Sequence, residues 1–152
     1  MKVFTPAHLA KTLLVSAVLL TGAAHAQDIA ATNPDVIARK DLMKSMGGAA
    51  KTLGGMAGGE VAYDAAAAEA AKQTIIAAAA QIEAKFTPNA EDPASEAKAE
   101  IWTDWDGFLV KAKALGDAAN TFDVASAESI GAGMGAVGGA CKACHTDYRV
   151  KK

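Results

Sequence analysis

The sequence predicts an all-α protein, an antiparallel four-helix bundle, and three observations carry that expectation. Apolar residues recur at steps of three and four along four segments, each flanked by capping or breaking residues. No stretch alternates apolar and polar residues as a half-buried strand would. The composition is 51% hydrophobic but only 5% aromatic because alanine dominates, so the interior is thin unless something large and flat fills it.

The first stretch stands apart from this pattern. Lys2 and Lys11 precede an apolar run from Leu13 to Leu20, and small residues close it at Ala24-His25-Ala26. That order reads as a secretory signal peptide over residues 1–26, cleaved after Ala26. The apolar run falls short of the ~20 residues that a spanning helix needs. Residues 27–152 then form one domain with one core, expected to be exported and free of the membrane. Cleavage removes two lysines and no acid, so the remainder is more acidic than the whole chain's −2. An acidic chain without a basic cluster is not built to bind nucleic acid.

The first helix starts at Asn33 as N-cap with Pro34 at its first position. It runs to about Leu53, with Gly54-Gly55 and then Gly58-Gly59 ending it, and Val36, Met43, Met46, Ala50 and Leu53 mark its apolar side. Arg39 falls on the same stripe, where a charge is unexpected. The second helix follows Asp64 and reaches about Lys85, burying Ile75, Ala79, Ile82 and Phe86. Asp92-Pro93 repeats the cap-plus-proline start for the third helix. Its stripe is Ile101, Trp105, Phe108, Ala112, Leu115, Ala119 and Phe122. Trp105 is on that stripe and Trp102 is not, which leaves Trp102 to core support, a subunit contact or a cofactor edge. The fourth helix repeats the rhythm through Ile130, Met134, Val137, Cys141, Cys144 and Tyr148. Helices of roughly 20 residues are about 30 Å long, which suits such a bundle.

Chemistry concentrates at one place. Cys141-Lys142-Ala143-Cys144-His145 is C-x-x-C-H, and it holds both cysteines of the chain. His8 and His25 leave with the leader, so His145 is the one histidine expected in the mature domain. On a helix, residues three and four apart share a face. Cys141 and Cys144 can thus attach one haem edge covalently while His145 projects toward the iron, the string of a c-type haem site. A redox dithiol calls for a βαβ setting, and a structural zinc site for further cysteine or histidine ligands that the domain lacks. A bare disulfide between the two cysteines leaves His145 unexplained. Gly131, Gly133, Gly135, Gly138 and Gly139 lie just before the motif, and either let a porphyrin approach the backbone or fray the helix there.

From these residues outward the sequence resembles the class II c-type cytochromes, the cytochrome c′ family. The likeness spans the domain: the C-terminal C-x-x-C-H with Tyr148-Arg149 and Lys151-Lys152 after it, Ile101-Trp102 with Trp105 and Phe108, Tyr63-Asp64, and Arg39-x-x-x-Met43-Lys44. The resemblance implies a four-helix bundle with one haem c per chain against the C-terminal helix. It also implies a periplasmic location, frequent homodimers, and electron transfer with redox partner proteins or binding of nitric oxide and carbon monoxide.

Met43 falls by this resemblance at the distal position. There a methionine either completes the iron's coordination as sixth ligand, raising its potential, or shields an open face that small gases can enter. The alternative is a core filler beside Met46. The resemblance gives Arg39 a haem propionate as partner; otherwise its stem packs while its head reaches solvent. Arg149, one turn beyond His145, contacts the proximal haem face or serves as a cation at the helix C-terminus. The leading expectation is an electron carrier, and the second a gas-binding protein without net electron traffic. Enzymatic acid–base catalysis is not expected, since it calls for a distal histidine that the domain lacks. The 123–128 connection looks short, and Lys40 stands where the family often has glutamine.

Overall fold

The computed structural model describes residues 29–151 and Met1, so the expected leader, Met1 aside, lies outside the described residues. Six helical stretches build four rods. The first is α1 (Pro34–Ala57), the second α2 (Ala65–Ala79) with α3 (Ile82–Phe86), the third α4 (Glu100–Thr103) with α5 (Trp105–Thr121), and the fourth α6 (Ala127–Tyr148). They close a ring in which α1 packs on α2 and α6, while α5 packs on α2 and α6. That is the antiparallel four-helix bundle expected. No described strand is present, and the one isolated bridge pairs Ala97 with Arg149. Among the described residues no helix is long and apolar enough to cross a membrane.

The caps explain the starts. Asn33 Oδ1 accepts from the backbone N–H of Asp35 at 2.9 Å, with Pro34 behind it, and Asp64 Oδ1 accepts from Ala67 N at 2.7 Å. At α6, Ser126 Oγ accepts from Ser129 N at 3.1 Å while Ser129 Oγ accepts from Ser126 N at 3.0 Å. This reciprocal capping box sits inside the short 123–128 connection and lets the helix begin at once.

Four expectations about the rods need correction. The first helix continues past Leu53 through Gly54-Gly55 to Ala57, and of the two expected glycine pairs only Gly58-Gly59 ends it, Gly59 taking the left-handed φ of +72°. Burial of Leu53 and Met56 against the core outweighs the glycine penalty. The second helix is interrupted at Ala80-Gln81, because Gln81 N–H bonds to Ala78 O in a tightened turn before α3 resumes. Asp92-Pro93 does not start the third helix. Asp92 Oδ2 instead accepts from the N–H groups of Thr32 (2.8 Å) and Asn33 (2.9 Å), and its Oδ1 from Ala94 N (2.8 Å). The chain is thereby tied back to the start of α1, and the rod begins at Glu100. Finally, Asp104 leaves helical geometry (φ −127°, ψ 54°) between α4 and α5. The offset lets both tryptophans pack partly against the core, where an unbroken helix would present only Trp105.

The core itself follows the periodicity. Leu53, Ala68, Ala119 and Ile130 are fully buried, as nearly are Ile75, Ile101, Phe108 and Val137. Each large member contributes roughly 1.5–3 kcal/mol of hydrophobic stabilisation. Phe108 is its aromatic centre, with rings of Phe86, Trp105 and Tyr148 at centroid distances of 5.2, 5.5 and 5.4 Å. On α1 the buried line is Leu42, Met46, Ala49, Leu53 and Met56. It runs beside Met43 and Ala50, which stay half-buried.

Candidate functional site

Met43, half-buried against the edge of the core, also lines the wall of a cavity. The cavity measures about 450 Å³, within the usual range of ligand pockets. Met43 and Val36 from α1, Phe86, Ile101, Phe108 and, from α6, Cys144, His145 and Tyr148 give it an apolar wall with a single imidazole. Arg39, Lys40, Lys44, Glu96 and Arg149 supply charge to the same lining. Cys141, one turn before Cys144, is half-buried and packs at the margin of the core.

The last turns of α6 are held firmly. Lys98 Nζ donates to the carbonyls of Thr146 (3.3 Å) and Asp147 (2.9 Å), and Lys111 Nζ donates to Ala143 O (3.2 Å) and pairs with the Asp147 carboxylate. Two ammonium groups thus satisfy carbonyls at the helix end and favour its negative pole. The backbone of Lys98 also donates to Tyr148 O at 3.0 Å, and Val150 N–H to Glu96 O at 2.9 Å. Tyr148 Oη donates to Asp104 Oδ2 at 2.6 Å, and that bond holds the phenol's pKa up at about 12. Lys98, Lys111 and Asp104 were not legible in the sequence, since no local pattern links them to residues some 30 to 50 positions away.

The electrostatics suit a ligating histidine. Burial, and then the neighbouring Arg149, hold the His145 pKa below its ordinary value. The imidazole is therefore neutral over a wider pH range, the form that offers a lone pair to a metal. Burial pushes both thiols, Cys141 and Cys144, above the usual cysteine range.

Both arginines line the cavity and also hold partners within the protein. Arg39 is only 3% exposed, so its head does not reach solvent. Its Nε donates to Lys85 O at 3.0 Å, one Nη to Ala90 O at 3.2 Å and the other to Pro88 O. Arg149 caps the helix, its backbone N–H donating to His145 O, and its guanidinium pairs with Glu96 at 2.6 Å. The glycines before the motif differ from expectation. None of Gly131, Gly133, Gly135, Gly138 or Gly139 lines the cavity, and α6 is helical throughout. Gly133 is needed for contact with Phe122, whereas Gly135, Gly138 and Gly139 face open space.

A C-x-x-C-H helix lining an apolar cavity inside a four-helix bundle defines a class, the helical c-type cytochromes. The comparisons make this specific. Residues 34–149 match the family model described as Cytochrome C′. Cytochrome c-556 of Agrobacterium tumefaciens (strain apple 185) is 39% identical over 118 residues, covering 76% of this chain and 94% of that protein. Cytochrome c′ of Cereibacter sphaeroides is 37% identical over 107 residues, covering 66% of this chain and 72% of its own length. Among solved structures, cytochrome c′ from Rhodobacter Spheriodes superposes with a TM-score of 0.71 at 34% identity, covering 78% of this chain and 96% of that one. A nitric oxide complex of a mutant cytochrome c prime from Alcaligenes xylosoxidans gives 0.68 at 30% identity, covering 77% and 94%. The chain belongs to the cytochrome c′ family, and haem c is its cofactor.

The cavity fits that group on its own chemistry. Its walls are largely apolar, as a porphyrin needs, His145 offers one imidazole that could ligate iron with the Cys144 thiol beside it, and exposed Lys40 and Lys44 on the lining could meet carboxylates.

Proposed function

We propose that the protein is a periplasmic monohaem cytochrome that passes single electrons, with its leader removed after Ala26 and its domain spanning residues 27–152. Cys141 and Cys144 tether one haem edge, and His145 ligates the iron. Bound haem supplies a one-electron couple; the chain's own groups attach it, orient it and set its potential. Burial, and then Arg149, hold the His145 pKa below its ordinary value, and the lysine-bound end of α6 positions its backbone. Phe86, Ile101 and Phe108 keep water from the cavity, which tunes the potential through burial.

The observation that carries this reading is that Met43 of α1 and His145 of α6 line one cavity. A thioether available as sixth ligand favours a low-spin, higher-potential carrier. The second reading, capture of nitric oxide or carbon monoxide, draws support from the relatives whose structures hold these gases, the nitric oxide complex above and a carbon monoxide bound variant from Alcaligenes xylosoxidans.

The absorption spectrum of the ferrous protein, with and without carbon monoxide, separates the two. The carrier reading expects a sharp low-spin spectrum that the gas leaves in place, and Met43→Ala should convert it to a broad one that the gas shifts. A wild-type spectrum that is already broad and gas-sensitive would overturn it in favour of gas binding. Mass spectrometry of the exported protein tests the tether: no added haem mass excludes both readings.

A further inference from the structure

We propose that a belt of lysines outside the mouth of the haem cavity is a docking surface for an acidic redox protein. The inference rests on the electron-carrier reading above and names the chemistry of its partner. The chain as a whole carries a net charge of −2, yet its charges are sorted along the bundle. At the end far from the cavity, the 58–64 and 123–128 turns meet where Tyr63 Oη donates to Val124 O at 2.9 Å. These turns carry exposed Glu60, Asp64, Asp123 and Glu128. The cavity end carries a surface of the opposite sign.

The contacts trace the belt. Lys40 of α1 donates to Ala94 O at 3.3 Å, at the head of the 94–98 segment. At the other end of that segment Lys98 Nζ donates to Thr146 O and Asp147 O, which sets its charge on the last turn of α6. Lys142 is exposed one turn before Thr146, and the tail adds exposed Lys151. The two carboxylates within the belt are engaged, Asp147 with Lys111 and Glu96 with Arg149. Asp41, beside Lys40, lines the groove between α1 and α2. Among the described residues, none of Lys40, Lys98, Lys142 and Lys151 is in an ion pair. Two aliphatic side chains are exposed beside them: Ile37 (39%), one turn ahead of Lys40, and Val150 (46%), next to Lys151. Apolar groups rimmed by charge are the make-up of a protein interface. So few of them suit the small contact of a transient electron-transfer encounter. A lipid headgroup would match the charge but can neither give nor take an electron. An acidic protein does both, and the belt steers it to the cavity mouth although the chain is net negative.

The test uses the exported, haem-loaded chain and follows oxidation of its ferrous form by two small probes, anionic hexacyanoferrate(III) and cationic tris(phenanthroline)cobalt(III). Net charge alone makes the anion a repelled probe, whose rate rises with salt. The belt reverses the sign: the anion's rate falls as ionic strength increases and the cation's rises. Lys142→Glu/Lys151→Glu should lower the low-salt rate with the anion about tenfold, within the range of electrostatic steering, at an unchanged midpoint potential. Lys51→Glu/Lys113→Glu makes the same change of charge outside the belt and should lower it less than about twofold. An anion rate that rises with salt, or equal losses in the two double variants, overturns the proposal. Should the Lys142 variant fail to take up haem, Lys151→Glu alone carries the test. It should act in the same direction by a smaller factor, and an unchanged rate overturns the belt. Electron transfer to an acidic plastocyanin should show the same dependence on salt and on these lysines. If that transfer ignores them while vesicles of phosphatidylglycerol and phosphatidylcholine bind through them, the partner is a membrane and the proposal falls. A ferrous spectrum that is broad and shifts with carbon monoxide would instead sink the carrier reading, a result that no salt dependence imitates.

Discussion

One substitution made at two points of the same helix should have opposite signs. Gly133 and Gly135 both lie in α6, and replacing either by alanine recovers up to about 1 kcal/mol of intrinsic helix preference. At Gly135 the new methyl meets nothing within 4 Å, so that gain is realised. At Gly133 it would lie 2.4 Å from Phe122 Cβ and 2.7 Å from Cδ2. Phe122 Cβ is bonded to the backbone and cannot swing aside, and its side chain is buried, only 5% exposed. Either α6 or the 122–126 turn must move, an overpacking cost of ~1–3 kcal/mol. The net expectation is about 1 kcal/mol of stabilisation for Gly135→Ala and roughly 0–2 kcal/mol of destabilisation for Gly133→Ala. For a domain of this size the gain raises Tm by about 3 °C. Denaturant titration of the haem-loaded variants, followed by far-UV circular dichroism, measures the difference. A Gly133→Ala protein as stable as Gly135→Ala would refute the packing argument, because propensity alone treats the two sites alike.

Two further outcomes follow from the same structure. Three backbone N–H groups hold the Asp92 carboxylate down at about 2. A depressed folded-state pKa stabilises above the ordinary value and loses that contribution as pH falls through the folded one. Asp92→Asn should therefore weaken the protein at neutral pH and flatten the decline of stability between about pH 4 and pH 2, read as denaturation midpoints across that window; a midpoint-against-pH curve parallel to wild type would exclude the effect. Replacing Cys141 and Cys144 by serine removes the tether from a helix whose five glycines each cost roughly 1 kcal/mol against alanine. The exported variant should lack haem mass, melt earlier and lose much of its far-UV helical signal, and an unchanged spectrum with an unchanged melting point would contradict this.

The sequence disclosed what is local. Asn33-Pro34 and Asp64 announced helix starts, and the three-four rhythm picked out Ile101, Phe108, Leu115 and Ile130 as core. It located C-x-x-C-H on a helix because its spacing is itself helical. What it could not disclose depends on tertiary partners. Asp92-Pro93 has the chemistry of a helix cap, yet its carboxylate finds donors on Thr32 and Asn33, some 60 residues away. Arg39 looked like a cation waiting for a carboxylate. Its bonds to carbonyls of a turn 46 to 51 residues on have no local signal. The break at Asp104 has no breaker residue; its carboxylate is held by Tyr148 from across the bundle, and a side chain on Gly107 would collide with it at 2.4 Å. Met43 shows the limit most clearly, because it packs against the core and lines the cavity at once, and helical spacing alone does not distinguish the two.

The stretch from Asp92 to Glu96 receives both extremities of the folded domain: the backbone of Thr32 and Asn33 bonds to Asp92, and Val150 to Glu96. Four residues span at most roughly 14 Å of extended chain. Entry and exit of the polypeptide are therefore neighbours in space, so a short peptide could join them and new termini be opened in a surface turn such as 58–63, giving a circular permutant. Whatever is fused to either extremity will stand beside the mouth of the haem cavity, which makes that choice of attachment point a way to bring a second redox module close to the iron.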